Sequence, residues 1–215
     1  GKKILITAGP TIEPIDPVRY ISNFSSGKQG YEIANCAYTY GAETILITGP
    51  TNIEAPEVNK IIKVESAEQM FNESMNICKK YGSIDIAFLT AAVSDWKINK
   101  TEKKYKKNEN IFKQIKFTEN KDILHMISNL RKSRPKIVCG FAAETSSLIN
   151  NARKKLINKN CDFIFANKIS KKFNPMGNDF NEISVIGKNN QKKWRKMTKK
   201  KIAEKIIQEV SLYLN

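Results

Sequence analysis

Short apolar runs alternate with polar turns and helical stripes along this chain, and their order predicts its architecture. Lys3-Ile-Leu-Ile-Thr-Ala8 reads as a buried strand running into the sharp turn Gly9-Pro10-Thr11. Tyr31, Ile33, Ala34 and Ala37 then recur at helical spacing until Gly41 stops the helix. Thr44-Ile-Leu-Ile-Thr48 is a second strand, and it ends in another Gly49-Pro50-Thr51. Strand, glycine-bearing loop, helix and strand make a βαβ unit whose helix N-terminus points at the edge where ligands bind.

The rhythm continues with a helix from a Ser66 cap through Lys80 to Gly82, then a third buried strand, Asp85 to Thr90. The stretch Trp96 to Asn120 interrupts it. That stretch is lysine-rich, has short β-like pieces around Ile111 to Phe117 and carries no helical stripe, so it is expected to project as a flap. A helix is predicted from about Lys121 to Lys132, a strand over Lys136 to Gly140, and a turn over Phe141 to Thr145. Ser146 or Ser147 starts a helix to Lys159, followed by a strand over Asp162 to Ala166. After a polar loop, Ser170 to Asn181, come a strand over Glu182 to Ile186 and a C-terminal helix with Ile202, Ala203, Ile206, Ile207, Val210 and Leu214 on one face. The expected fold class is α/β: a Rossmann-like three-layer sandwich with a mostly parallel sheet, in one domain over residues 1–215.

The densest chemistry lies in Val18-Arg-Tyr-Ile-Ser-Asn-Phe-Ser-Ser-Gly-Lys-Gln-Gly30, where an arginine, a carboxamide, hydroxyls and glycines lead into a helix. Such a loop suits an anion, a phosphate above all. A Walker A loop is excluded by Ser22 and Gln29 at its required positions, and a dinucleotide fingerprint by Ala8, Pro10 and Thr11 around Gly9. The plainer alternative is a helix start capped by Ser25 or Ser26, with Gly27 in a tight turn. Polar residues also end the other strands, at Thr90 to Asp95, Gly140 to Thr145 and Asn167-Lys168. In a parallel sheet these loops converge on one edge.

Composition narrows the classes further. The 215 residues suffice for one large α/β domain, and no apolar run approaches membrane-spanning length, so a soluble, cytoplasmic protein without a membrane partner is expected. Cys36, Cys78, Cys139 and Cys161 lie far apart in apolar segments with no CxxC pair, which points to buried thiols rather than disulfides or zinc. Net charge is +16, but the lysines are scattered among Asn and Ile. Of two denser clusters, Lys188 to Lys201 is expected to be a solvated lead into the last helix, and no nucleic-acid-binding motif accompanies either. His125, the single histidine, lies among Ile123, Leu124, Met126 and Ile127 and is read as structural.

Gly9-Pro-Thr-Ile-Glu-Pro-Ile-Asp-Pro-Val-Arg-Tyr-Ile-Ser-Asn-Phe-Ser-Ser-Gly27, Ala91-Ala-Val-Ser-Asp95, Gly140-Phe-Ala-Ala-Glu-Thr145 and Asp162-Phe-Ile-Phe-Ala-Asn167 resemble bacterial phosphopantothenoylcysteine synthetase over essentially the whole chain. The resemblance implies ligation of 4′-phosphopantothenate to L-cysteine in coenzyme A biosynthesis, with CTP and Mg²⁺ or Mn²⁺, through an acyl-cytidylate. It further implies a homodimer and a phosphopantothenoylcysteine decarboxylase half before Gly1, with FMN only if that half is attached. Asn23 and Lys104 would be catalytic, Lys104 acting in the first step and Asn23 in the second. Arg19, Asn23 and Ala91 would bind phosphopantothenate. Gly9, Ser25, Ser26 and Gly27 would line the triphosphate, and Leu89, Thr90, Ala91, Asp95, Lys121, Asp122, Ile123, Leu124, Phe141, Lys155 and Lys159 would complete the nucleotide site with Lys104. The metal ligands stay unassigned.

The lysine signature reads Lys104-Tyr-Lys-Lys107, and a register shift would pass the role to Lys103 or Lys106. Lys121 replaces a proline common in the family, which loosens the start of the following helix without removing backbone donors. The rivals are a short-chain oxidoreductase and a nucleic-acid-binding domain. The first lacks its Tyr-x-x-x-Lys pair, since Tyr31, Tyr81 and Tyr105 are followed four residues on by Asn35, Asp85 and Glu109.

Overall fold

A computed structural model of the chain describes residues 1–81, 83–106, 115–170 and 174–214. Twelve strands are described: β1 (Lys3–Ala8), β2 (Ile12–Pro14), β3 (Tyr20–Ser22), β4 (Glu43–Thr48), β5 (Lys60–Lys63), β6 (Ile86–Leu89), β7 (Trp96–Ile98), β8 (Phe117–Glu119), β9 (Ile137–Glu144), β10 (Phe163–Lys168), β11 (Phe180–Gly187) and β12 (Gln191–Thr198). The α-helices are α1 (Lys28–Thr39), α2 (Ala67–Tyr81), α3 (Ile123–Ser128), α4 (Leu148–Lys159) and α5 (Lys199–Ser211).

Eight strands form the main sheet in the order β12-β11-β10-β9-β6-β1-β4-β5. All neighbours from β5 to β10 are parallel, and β11 and β12 are antiparallel additions at one edge. The chain moves outward from β1 to β4 and β5, then jumps across β1 to β6 and continues to β9 and β10. That reversal puts a topological switch point between β1 and β6, above which α1 begins.

Side-chain alternation sorts the two faces. Ile4, Ile6 and Ala8 join Leu46, Phe88 and Phe165 under α1 and α5. Leu5, Ile45, Ile47, Ala87 and Val138 join Met70, Ile127 and Leu156 under α2, α3 and α4. Phe88 and Phe165 are fully buried, and each side chain of this size contributes roughly 1.5–3 kcal/mol through lost apolar exposure. The three layers therefore follow directly from strands that are apolar on both faces.

Several elements differ from the sequence expectation. The segment Lys188 to Lys201 leads into the last helix with its lysines mostly exposed, as expected, but it is largely strand β12, which was not. Edge strands need few apolar residues and tolerate lysines that guard against further pairing. Here Trp194 lies under the Lys205 ammonium, and Lys192 pairs with the buried Glu209 at 2.7 Å. β9 continues through Phe141 to Glu144, where a turn was expected, because β10 runs parallel to it as far as Lys168. The helix expected over Lys121 to Lys132 is only Ile123–Ser128, capped by Asp122, whose side chain accepts the His125 amide. Strand β5 and the β2–β3 hairpin, both short, were not anticipated. The expected helix end at Gly82, most of the β-like piece near Ile111 and part of the Ser170 to Asn181 loop lie outside the described residues.

The Ser66 cap is present and reciprocal: Ser66 Oγ accepts the Gln69 amide while Gln69 Oε1 accepts the amides of Glu65 and Ser66. All four cysteines are buried and free, and burial pushes the thiols of Cys78 and Cys161 up to about 12. The expected inert thiols are what the fold contains. Among the described residues no helix is long and apolar enough to cross a membrane.

Candidate active site

Three loops are laced together over the carboxyl ends of β1 and β6. Ala92 N donates to Gly9 O at 2.9 Å and Ser94 N to Thr11 Oγ1 at 2.9 Å. Thr90 Oγ1 donates to Thr7 O. The β2–β3 hairpin rises from this base, and Ser22 Oγ donates back to Thr11 O at 2.8 Å. Its other side is fastened by the buried Glu13, whose carboxylate accepts the Ala67 amide at 2.8 Å and so caps α2. Burial raises the Glu13 carboxyl above its usual range, against the lowering effect of the Ala67 amide.

Asn23 leaves this hairpin with its carboxamide over the β6 loop, where Nδ2 donates to Val93 O at 2.8 Å and lies 3.4 Å from Ala92 O. It therefore rests on the loop that follows Ala91. Gly27 occupies the N-cap position of α1 with φ 74° and has no side chain to cap the first amides. Ser25 Oγ accepts Gly27 N at 3.2 Å and Ser26 Oγ accepts Lys28 N at a long 3.4 Å. A serine-capped start is thus not the arrangement found. A Cβ at Gly27 would lie 2.7 Å from Thr51 Cγ2 and 3.3 Å from Gly9 Cα, so two left-handed glycines touch beneath the helix end. One at Gly30 would lie 2.6 Å from Ala8 Cβ, which lets the helix close onto β1. First-turn amides and the positive end of the helix dipole are left at the switch point, an arrangement that attracts anions.

A second cluster lies one strand over. Leu89 is paired with Gly140, so Phe141 follows directly beside Thr90. Lys155 and Lys159, on one face of α4, reach Phe141 O at 3.4 Å and the Asp122 carboxylate respectively. Burial alone would raise the Asp122 carboxyl, but Lys159 and the His125 amide outweigh it and hold it below the ordinary 3.8. Asp122 therefore stabilises the fold above pH 3.8, and that contribution fades as pH falls below it. Asp122→Asn is expected to cost at most about 1 kcal/mol near neutrality. Melting curves between pH 2.5 and 7 should show variant and parent converging only at the acid end; a constant gap would contradict the assignment.

Other residues singled out in the sequence take different places. Ile123 is buried in the core, Leu124 packs where a Gly140 side chain would stand, and the Lys121 ammonium lies 4.5 Å from the Phe71 ring centroid. Asp95 is exposed, and its carbonyl accepts Asn120 N at 2.9 Å. Arg19 is held by Asp16 at 2.8 Å and by Tyr105 O at 2.7 Å. Lys103, Lys104 and Lys106 are exposed, and the register of the lysine signature is not decided by their positions. His125 is exposed, with Nδ1 3.3 Å from Asn158 O, a structural setting.

Sequence reasoning gave no role to the side chain of Asn167. It is 8% exposed at the end of β10, level with Ala143, and its Nδ2 has no hydrogen-bond partner among the described residues. A polar residue ending a buried strand was the available signal. Among the described residues no three His, Cys, Asp or Glu side chains converge as a metal cage.

Comparison with known proteins identifies the fold and the family. A family model described as the DNA/pantothenate metabolism flavoprotein C-terminal domain matches residues 1–213. The coenzyme A biosynthesis bifunctional protein CoaBC of Borreliella burgdorferi is 42% identical over 209 residues, covering 96% of this chain and 52% of the relative. The chain thus spans about half the length of the curated relatives it matches. The crystal structure of the C-terminal domain of a CoaBC protein superposes with a TM-score of 0.81 at 34% identity, covering 100% of this chain and 96% of that one. A Cab2 mutant in complex with phosphopantothenate-cysteine shares the fold, with a TM-score of 0.75 at 17% identity, covering 99% of this chain and 86% of that one. Parallel sheet, glycine-lined switch point and whole-length match lead to one assignment: the chain belongs to the family of the DNA/pantothenate metabolism flavoprotein C-terminal domain.

Proposed function

We propose that this domain ligates 4′-phosphopantothenate to L-cysteine with CTP, as a step of coenzyme A biosynthesis. The observation that supports the reading is the strand register that pairs Leu89 with Gly140, so that Phe141, reached by Lys155, follows next to the β6 loop on which the Asn23 carboxamide rests. One part suits phosphates and an acyl group, the other a nucleoside. The names of the CoaBC relatives and the ligand of the Cab2 complex are in keeping with it.

In the first step a carboxylate oxygen of phosphopantothenate bonds to the α-phosphorus of CTP while the bond to the β-phosphate oxygen breaks, releasing pyrophosphate. In the second the cysteine amine bonds to the acyl carbon, the acyl–phosphate oxygen bond breaks, CMP leaves, and the amine proton passes to solvent. Both steps spread negative charge over oxygens, so cations and oriented N–H donors suffice without a nucleophilic side chain. Lys104 is assigned to the first step and Asn23 to the second. Arg19 and Ala91 hold phosphopantothenate, the Gly9, Ser25, Ser26 and Gly27 loops hold phosphates, and Asn167 Nδ2, unpartnered among the described residues, offers a further donor. Among the described residues no side-chain cage for Mg²⁺ or Mn²⁺ forms; the cation is proposed to arrive with the triphosphate, and no step is assigned to it.

A second copy of the chain is proposed to complete the site in a homodimer, and a decarboxylase partner, with its FMN, to share the longer polypeptide. A fully active monomer in light scattering would remove the first of these. The oxidoreductase alternative fares poorly, because residues 9–27 form a hairpin and loop where a dinucleotide binder has a tight turn. Calorimetric titration with each nucleoside triphosphate and magnesium should show preference for CTP, and pyrophosphate release should require phosphopantothenate. Binding of NAD(P) instead, or release that ignores phosphopantothenate, would overturn the proposal.

A further inference from the structure

The side chain of Asp16 is wholly buried in a protein whose charged groups lie mostly at the surface, and its two oxygens serve different segments. Oδ1 accepts the amides of Val18 and Arg19 at 2.8 and 2.9 Å, which closes the turn between β2 and β3. Oδ2 accepts Arg19 Nε at 3.0 Å, Arg19 Nη2 at 2.8 Å and the Tyr105 amide at 3.3 Å. Arg19 Nη2 in turn donates to Tyr105 O at 2.7 Å, and Thr101 N donates to Ile15 O at 3.2 Å. Burial by itself would raise the Asp16 carboxyl, yet these amides and the guanidinium hold it below the usual carboxylate range.

The two segments joined here are otherwise remote in sequence. One leads directly into Asn23, the other contains Lys104. From these contacts we infer that Asp16 is a positioning residue that clasps the 101–106 segment to the hairpin turn and so sets Lys104 against the Asn23 loop. The inference rests on the ligation reading above. It explains why Arg19, in a loop built for anions, is already paired: its guanidinium bridges Asp16 and the lysine-bearing backbone. Asp16 acts here together with the Arg19–Tyr105 and Thr101–Ile15 bonds, and among the described residues it is the one group that touches the turn, Arg19 and the 101–106 backbone at once.

Asp16→Asn tests this selectively. The remaining carbonyl oxygen still serves the Val18 and Arg19 amides, whereas an NH₂ in place of Oδ2 faces only donors. Hydrogen exchange should rise in peptides covering 101–106 while α1 and the parallel strands keep their protection. Pyrophosphate release in the first step should fall by about tenfold to a hundredfold, with CTP affinity little changed, as expected for a misplaced catalytic group. Unchanged exchange, or faster exchange with release at the parental rate, would overturn the inference. If the parent protein itself releases no phosphopantothenate-dependent pyrophosphate, the ligation reading fails and this role fails with it. Should Asp16→Asn lose its cooperative melting transition, Thr101→Pro removes one clasp bond at the far end of the segment. Its release rate should fall in the same step, and a parental rate there would overturn the inference equally.

Discussion

Lys104→Gln is expected to abolish formation of the acyl-cytidylate while leaving the fold intact. The side chain is exposed, so its loss removes no core contact and should leave the melting temperature within the range of an ordinary surface substitution. Its proposed work is electrostatic: the entering carboxylate and departing pyrophosphate both concentrate negative charge, and a cation at that point lowers the barrier. A single such group accounts for about a hundredfold to a thousandfold in rate. Pyrophosphate release without cysteine is the measurement. A near-parental rate would remove Lys104 from the mechanism and pass the test to Lys103 and then Lys106.

Asn23→Asp should spare the first step more than the second. The Asn23 amide now donates to Val93 O at 2.8 Å, so a carboxylate there would face two backbone carbonyls and swing away from the loop. It would also bring negative charge to the acyl group on which an oxyanion develops. Loss of one such donor slows attack by the cysteine amine by roughly a hundredfold or more. The cytidylated intermediate should then accumulate and be detected by mass spectrometry in quenched mixtures. Failure to release any pyrophosphate would assign Asn23 to the first step instead.

The regions that sequence reading described well are those where one local rule dominates. β1, β4 and β6 are apolar on both faces and short, which only a covered parallel sheet accommodates. α2 carried its Ser66 cap in plain view, and α5 its apolar stripe. β12 was misread because an edge strand rich in lysine has no period of its own; Trp194 and the Lys192–Glu209 pair matter only once α5 lies across it. Phe141 was placed in a turn because its strand status depends on β10 alongside, a contact between distant segments.

The candidate site divides the same way. The amino-acid sequence alone determined that a loop rich in hydroxyls, carboxamide and glycine precedes the first helix, that polar loops end successive buried strands, and which family those motifs resemble, because residue type and short-range spacing carry that information. Tertiary structure decided which of these groups meet. It paired Leu89 with Gly140, so that Phe141 follows next to the β6 loop, put Gly27 at the N-cap where a serine was expected, and left the Asn167 Nδ2 without a partner among the described residues. It also showed Arg19 already engaged by Asp16 and Tyr105. The physical reason is that hydrogen bonds between segments depend on distance and orientation after packing, and no local periodicity records which buried oxygen a distant amide will find.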